Sequence, residues 1–344
     1  MKMPAQLQDA FKFQAKACDQ LGSPFMHQLC NLLAARVWPN TRLRDVYFSW
    51  QGDIGPSAQS LPLRLAGGLH ALALQGDVLA DAYPPHAHDD QSLWEAVQTA
   101  LTDHDAFLCD WVKSPPQTNE VRRAAVLIAL GAALADRYDC HMRVSELGAS
   151  AGLNLMWDRF ALDIGSNQFG DTASDVRLSP EWTGPLPPAT KSPTVAERRG
   201  VDLNPLNPAD PNDQLRLQAY LWPDQPDRIA RTKAAIDLAQ AAVDQSDAID
   251  WLVQRLSHET GQLHLIYSTI AWQYFPQEAQ QRGQSMIEAA GAIATDDTPL
   301  AWFGMEPDGK AEGAALTLRL WPGDKTINLG RMDFHGRWIN WNGM

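Results

Sequence analysis

Hydrophobic residues in the first third of the chain recur at helical spacing. Gly22-Ser23-Pro24 interrupts this spacing, which predicts a helical hairpin around the break. Pro115-Pro116 ends the helical region. The predicted helices cover residues 7–37, 61–79 and 92–112. We therefore expect an all-helical N-terminal domain over residues 1–115.

Beyond residue 116, helical spacing alternates with short apolar runs. Residues 118–137 predict a helix with Asn119 as its cap, and residues 163–190 predict an irregular or β-rich insertion. The apolar run at 262–268 is nearly continuous, as is typical of parallel strands flanked by helices. The predicted strands cover 142–146, 195–202, 242–246, 262–268 and 300–305, with an antiparallel ending over 315–341. Residues 116–344 are therefore predicted to form an α/β domain.

Composition agrees with a two-domain globular protein. The chain has 344 residues, of which 45% are hydrophobic, and it exceeds the size that one core usually supports. A net charge of -13 argues against a nucleic-acid partner. Because no apolar run is long enough for a bilayer and no signal-peptide pattern is present, we expect a cytoplasmic protein without membrane contact. The scattered cysteines predict reduced, inert thiols: Cys18, Cys30, Cys109 and Cys140.

Residues 142–160 combine a predicted strand, a loop from Gly148 to Gly152 and a predicted amphipathic helix. The loop matches two fingerprints, because Glu146-x-Gly148-x-Ser150-x-Gly152 resembles a nucleotide-binding turn and Gly148-x-Ser150-x-Gly152 resembles a nucleophile elbow. The dinucleotide pattern G-x-G-x-x-G is not met, since Ser150 and Leu153 replace its later glycines. This disfavours NAD and FAD as cofactors.

Acidic residues at three predicted strand ends resemble the motifs of class I S-adenosylmethionine-dependent methyltransferases. Glu146 lies two residues before Gly148, Asp202 ends the second strand, and Asp247-Ala248 follows the third. The resemblance implies S-adenosylmethionine as cofactor, with Asp202 on the ribose hydroxyls and Asp247 on the adenine amine. The cofactor-binding residues that we predict are Glu146, Gly148, Ser150, Gly152, Asn154, Asp202, Asp247, Ala248 and Ser268.

Four further motifs extend a resemblance over nearly the whole chain. They cover residues 62–70, 146–155, 200–205 and 272–276, and together they resemble the bacterial family catalogued as domain of unknown function 2332. That family name carries no established activity. The resemblance implies a Rossmann-like, class I methyltransferase-type α/β sheet with helices on both faces in residues 116–344, preceded by a family-specific helical domain that we expect to cap the strand ends.

Catalytic residues are less defined, because methyl transfer needs alignment more than a nucleophile or a metal. The segment after the strand ending at Ser268 is the expected place for substrate contacts, and Tyr267, Trp272 and Tyr274 are the candidates there. An aromatic wall of Trp272 and Tyr274 would attract the sulfonium. Tyr267, His258 and Glu306 are possible general bases. The His86-Ala87-His88-Asp89-Asp90 run is interpreted as a solvated loop, and no metal is predicted.

A serine esterase is the alternative interpretation of the same loop. Ser150 would be the nucleophile, and Asp308 and His335 follow it in the order of the α/β-hydrolase triad. The upstream His-Gly-Gly oxyanion motif is missing, and helices are predicted where a hydrolase needs strands. The sequence therefore favours a methyltransferase that acts on a small molecule or a protein, in an undetermined oligomeric state. A non-catalytic ligand-binding protein of the same fold is the third interpretation.

Overall fold

The computed structural model describes residues 2–55 and 58–344, and the chain forms two compact units. One unit contains the chain up to Thr118 together with residues 209–230, and the other contains residues 119–208 and 231–344. Residues 209–230 belong with the N-terminal helices because their side chains and backbone pack there. The Ala219 carbonyl lies 3.1 Å from Nδ1 of buried His70, and the Tyr220 ring fills the space left by Gly67.

Four helices of the first unit begin where a side chain caps the first turn. The Ser23 hydroxyl accepts the Met26 N–H at the start of the second helix. The helix expected over 92–112 is instead divided at His104, because the Asp105 carboxylate accepts the Arg42 and Leu43 N–H groups of another helix. The α-helices are α1 (Ala5–Gln20), α2 (Pro24–Ala35), α3 (Arg42–Phe48), α4 (Leu61–Leu74), α5 (Asp90–Asp103), α6 (Asp105–Trp111), α7 (Ala124–Arg137), α8 (Pro211–Ala219), α9 (Pro226–Leu238), α10 (Ala248–Arg255) and α11 (Gln277–Ala292).

A mostly parallel sheet of nine strands forms the second unit, in the order β5-β12-β11-β10-β9-β8-β1-β6-β7 over the residues described. Strands β7, β6, β1, β8 and β9 run parallel to their neighbours, and β9 through β12 continue as an antiparallel meander. The strands are β1 (His141–Leu147), β2 (Ala161–Ile164), β3 (Asn167–Gly170), β4 (Arg177–Leu178), β5 (Glu181–Thr183), β6 (Val195–Asp202), β7 (Ala242–Gln245), β8 (Gln262–Thr269), β9 (Leu300–Glu306), β10 (Ala314–Trp321), β11 (Lys325–Met332) and β12 (Trp338–Trp341). The mixed α/β architecture and the parallel strands expected from the apolar runs are confirmed.

The order of the parallel strands places a topological switch beside β1. After β1 the chain adds β6 and β7 on one side, and it then adds β8 and β9 on the other. The connections on the two sides therefore diverge between β1 and β8. Open α/β sheets bind ligands at the carboxyl ends of the strands next to such a point.

Two local predictions around the glycine loop are wrong. Residues 153–159 form a 3-10 helix instead of an amphipathic α-helix, and Trp157 there is fully buried against Gly131 of α7. Asn119 does not cap α7, because its side-chain oxygen accepts the Leu153 N–H at 3.0 Å. Both differences arise because residues 153–157 are buried and bonded to distant residues, so the exposed polar side is limited to the end of the stretch, at Arg159.

The insertion divides between two sheets. Strands β2, β3 and β4 form a separate three-stranded sheet, and β5 pairs with β12 at one edge of the large sheet. Helices α10 and α11 bury one face of the large sheet through Ile249, Leu252 and Ile287. No helix within the described residues is both long and apolar enough to cross a bilayer.

Candidate functional site

The glycine loop, residues 148–152, turns sharply at the end of β1. The Gly148 and Ala149 N–H groups donate to the Val201 carbonyl of β6 at 2.9 and 3.0 Å. Gly148, Ser150 and Gly152 all have positive φ, at 74°, 54° and 72°. Serine in this left-handed region costs about 1 kcal/mol or more, so the surrounding structure must hold it there.

Asp202 at the end of β6 holds the strained residue in place. One carboxylate oxygen accepts the Ser150 N–H and the other accepts the Asn204 N–H, both at 2.9 Å. The Asp202 carbonyl accepts the Ser246 N–H from the loop after β7. Asp202 therefore connects three loops at the C-terminal edge, the name used here for residues 148–152, 202–204, 246–247 and 268–272. Each carboxylate oxygen still has acceptor capacity for a further donor.

Asp247 has a clear structural role at this edge. Its carboxylate is the N-cap of α10 and accepts the Ile249 and Asp250 N–H groups at 2.9 and 3.1 Å. The side chain remains 48% exposed, whereas Ala248 is buried in the first helical turn. The structure thus places Asp202 and Asp247 after adjacent strands, with Asp247 oriented by the cap.

Glu146 lies beneath the loop and is only 2% exposed. The hydroxyl of buried Tyr267 lies 3.3 Å from a Glu146 carboxylate oxygen and 3.3 Å from the Asn154 carbonyl. Burial raises the pKa of Glu146 to about 8, the Tyr267 hydroxyl opposes this rise, and the charge of Asp202 adds to it. Burial likewise raises the pKa of Tyr267, so this phenol is a buried partner of Glu146 rather than a group exposed to substrate.

Glu306 at the end of β9 holds the loop after β8. One of its carboxylate oxygens accepts the Ser268 hydroxyl at 2.8 Å and the N–H groups of Ala271 and Trp272 at 3.1 and 3.0 Å. Between them Ile270 has φ 56°, a conformation that β-branched residues rarely adopt. Burial raises the pKa of Glu306, and the backbone N–H groups of the loop oppose this rise. The carboxylate therefore stabilises a second strained loop at the C-terminal edge.

The two strained loops touch each other. A Cβ atom at Gly148 would lie 2.5 Å from the Cβ of Ala271, so glycine permits this approach. Three buried side-chain oxygens beside these loops have no hydrogen-bond partner in the described chain: Ser150 Oγ, Asn154 Oδ1 and Glu306 Oε2. Buried polar atoms are seldom left unpaired in folded proteins, and such a group of atoms is expected where a polar ligand or water binds.

The two aromatic candidates after β8 differ in exposure. Trp272 packs into the core, with ring centroids 5.4 Å from those of both Phe275 and Trp302. Tyr274 points outward and is 66% exposed. The Trp272 indole is thus half-buried against α11 and β9, whereas the Tyr274 phenol is exposed.

Two other histidine-bearing segments have partners of their own. His258 precedes β8 and lies at the opposite end of the strand, where Nε2 is 2.9 Å from the Ala290 carbonyl of α11. In the run from His86 to Asp90, Asp89 is the N-cap of α5. His258 is therefore not part of the C-terminal edge.

The esterase residues are not joined by hydrogen bonds within the described chain. Both oxygens of Asp308 pair with Arg331 at 3.0 Å, and this arginine lowers the pKa of Asp308 to about 2. His335 Nδ1 lies 3.7 Å from a carboxylate oxygen of buried Glu120. Asp308 and His335 thus have other partners, and Ser150 Oγ has none.

Comparison with known proteins places the chain in a family. The model of an uncharacterised protein family conserved in bacteria matches residues 8–341. The chain belongs to DUF2332. No curated protein and no solved structure matches it significantly.

The C-terminal edge of this DUF2332 chain is rich in carboxylates. Glu120, Glu146 and Glu306 are largely buried beside it, and Asp202 is partly exposed. The nearby cationic side chain of Arg123 donates to the Thr269 and Phe334 carbonyls at 2.9 and 3.0 Å. This DUF2332 edge therefore suits a polar ligand with positive charge better than one with several phosphates.

Some residues of the DUF2332 site were not predicted from the sequence. Glu120 accepts the Asn154 side-chain N–H through its carbonyl, and Arg123 bonds to the loop after β8. Both precede the glycine loop by more than twenty positions and lie in no motif. Glu306 was predicted as a base, whereas the structure shows it as an anchor of the 268–272 loop.

Proposed function

We propose that this protein binds S-adenosylmethionine at the C-terminal edge and is a methyltransferase for a small molecule or a protein. The observation that carries the proposal is the position of Asp202. This carboxylate ends the strand next to β1 and bonds to the glycine loop beside the topological switch. Ligands of open α/β sheets bind at this position.

The polar groups at the edge fit a nucleoside. The carboxylate oxygens of Asp202 each accept one backbone N–H, which leaves lone pairs for the two ribose hydroxyls. Ser150 Oγ and Asn154 Oδ1 are unpartnered in the described chain and would gain partners from a polar ligand. Positive φ at Gly148 and Gly152 brings the backbone, free of Cβ atoms, close to the ligand surface.

Charge favours a sulfonium nucleoside over a dinucleotide. A dinucleotide carries a pyrophosphate, which usually requires unpaired N–H groups at a helix N-terminus or free basic side chains. Here the segment after the loop is a 3-10 helix of seven residues, and Arg123 is bonded to two carbonyls. The carboxylates of this edge would instead attract a cation.

The residues of this chain would act mainly by positioning. Bound S-adenosylmethionine supplies an electrophilic methyl group, and an acceptor needs alignment within about 3–3.5 Å for in-line attack. Asp202 holds the glycine loop, and Glu306 holds the 268–272 loop on the side where an acceptor would approach. Two loops held by carboxylates keep the site rigid, which lowers the entropic cost of alignment.

Binding measurements test this proposal directly. Thermal-shift and calorimetric titrations would compare S-adenosylmethionine, S-adenosylhomocysteine and NAD. A ligand at 100 times its Kd adds about 2.7 kcal/mol of stability, and we expect this with the two adenosyl ligands but not with NAD. Absence of binding by both adenosyl ligands would refute the proposal.

Matched variants locate the site. Asp202→Asn should weaken binding of both adenosyl ligands at least tenfold, because an amide cannot accept the Ser150 N–H and two hydroxyls equally well. Asp324→Asn makes the same chemical change at the β10–β11 turn, at the opposite end of the sheet, and should leave binding unchanged. Equal losses in both variants would contradict a site at the C-terminal edge.

A further inference from the structure

Glu146 is a buried carboxyl group with little to stabilise a charge. It is 2% exposed, and its hydrogen-bond partner is the Tyr267 hydroxyl at 3.3 Å, a long contact. No lysine, arginine or histidine of the described chain forms an ion pair with it. A charge buried in this way is costly, so the neutral acid is the favoured form.

The charged and polar groups around Glu146 do not cancel the effect of burial on its pKa. Tyr267 faces it from β8, Asp202 from the end of β6, and Arg123 from the 3-10 turn before α7. Asp202 raises the pKa of Glu146 and Arg123 lowers it, so these two effects oppose each other. On the far side of Tyr267, Arg198 and Asp158 form a salt bridge with each other.

Cofactor binding would change this balance because the ligand is a cation. We propose, on the basis of the function proposed above, that Glu146 holds a proton beneath the glycine loop and releases it when S-adenosylmethionine binds. The same release does not accompany S-adenosylhomocysteine, which lacks the sulfonium charge. Glu146 then makes affinity for the cofactor rise with pH and distinguishes the cofactor from its product.

The step involves one bond. The O–H bond of the Glu146 carboxyl group breaks, its electron pair stays on the carboxylate, and the proton passes to the solvent buffer. When the bound nucleoside is the neutral thioether, Glu146 takes a proton back. A nearby cation typically lowers a carboxyl pKa by about 1–3 units, so a pKa near 8 would fall to about 6.

Calorimetry measures the proton directly. Titration with S-adenosylmethionine at pH 7 in buffers of different ionisation enthalpy should show release of about 0.8 proton per site, from a pKa that falls from about 8 to about 6. S-adenosylhomocysteine should show a release close to zero. Between pH 6 and pH 8 the Kd of S-adenosylmethionine should fall by about fivefold per pH unit, while that of S-adenosylhomocysteine stays nearly constant.

Glu146→Gln imitates the protonated acid with almost the same shape. This variant should bind S-adenosylmethionine without proton release and with an affinity that does not depend on pH. Asp324→Asn, the control at the other end of the sheet, should retain the release. Carboxyl carbon NMR without ligand provides a second readout, because a resonance missing from the Glu146→Gln spectrum should titrate near pH 8.

The outcomes separate the two proposals. If S-adenosylmethionine binds without proton release, the role of Glu146 is refuted and the proposed function stands. If the Glu146 resonance titrates near its ordinary pH of about 4.5, the role is refuted whatever the ligand does. If neither adenosyl ligand binds, both the function and the proton release that rests on it fall.

Discussion

Stability should decrease as pH rises, because Glu146 is buried. The perturbation is Glu146→Gln, which removes the titration while keeping the volume of the side chain. The folded protein holds a proton at Glu146 up to a pKa of about 8, whereas the unfolded chain loses it at the ordinary value of 4.5. Between these values the unfolded state binds fewer protons, so the unfolding free energy falls as pH rises.

The magnitude follows from the pKa difference. At 1.36 kcal/mol per unit, the rise from 4.5 to about 8 corresponds to about 5 kcal/mol, of which about 4 kcal/mol is lost between pH 5 and pH 8. That is a large share of the 5–15 kcal/mol typical of a domain. Glu146→Gln should therefore gain about 1.4 kcal/mol over the unchanged protein with each pH unit in this interval.

Urea unfolding of both proteins at pH 5, 6, 7 and 8 measures this difference. Since two units can unfold separately, hydrogen exchange at the β1 amides reports the transition that exposes Glu146. The other carboxylates titrate alike in both proteins, so their contributions cancel in the difference between the two unfolding free energies. A difference that stays constant from pH 5 to pH 8 would mean that Glu146 is ionised in the folded state, and the burial argument would fail.

Two further predictions concern residues with a structural role. Asp247→Ser retains a capping hydroxyl and should change the unfolding free energy by a few tenths of a kcal/mol, while Asp247→Ala should lower it by about 1 kcal/mol. If the serine variant also binds S-adenosylmethionine normally, Asp247 acts only as a cap. In α7, a Cβ at Gly131 would lie 2.3 Å from the Trp157 ring. Gly131→Ala should therefore lower the unfolding free energy by about 1–2 kcal/mol, because overpacking of about 1–3 kcal/mol exceeds the helix-propensity gain of up to about 1 kcal/mol. A more stable variant in urea unfolding would contradict this.

Elements whose signal lies within their own residues were predictable. The apolar run at 262–268 corresponds to β8, Gln262–Thr269, and the break at Gly22-Ser23-Pro24 separates α1 from α2. Predictions failed where a distant partner decides the conformation. Residues 92–112 read as one helix, but the bonds from Asp105 to the start of α3 divide it.

The candidate site shows the same division. The glycine loop and Asp202 carry local signals, namely small residues after a strand and an acidic residue at a strand end. The contact between them carries no local signal. The Ser150 N–H and the Asp202 carboxylate are 52 positions apart, and the parallel pairing of β1 with β6 brings them together. The anchoring of residues 268–272 by Glu306 likewise depends on the pairing of β8 with β9.

The sequence by itself determined the helical first part, the parallel strands and the presence of a glycine loop with acidic neighbours, because spacing and residue type act locally. Tertiary structure alone decided the roles of individual groups. In the folded chain Asp247 is a helix cap, Trp272 packs against the core, and Glu146 is buried beside Tyr267. The physical reason is that burial, charge balance and hydrogen-bond partners are properties of the assembled neighbourhood, which residues from distant parts of the chain create.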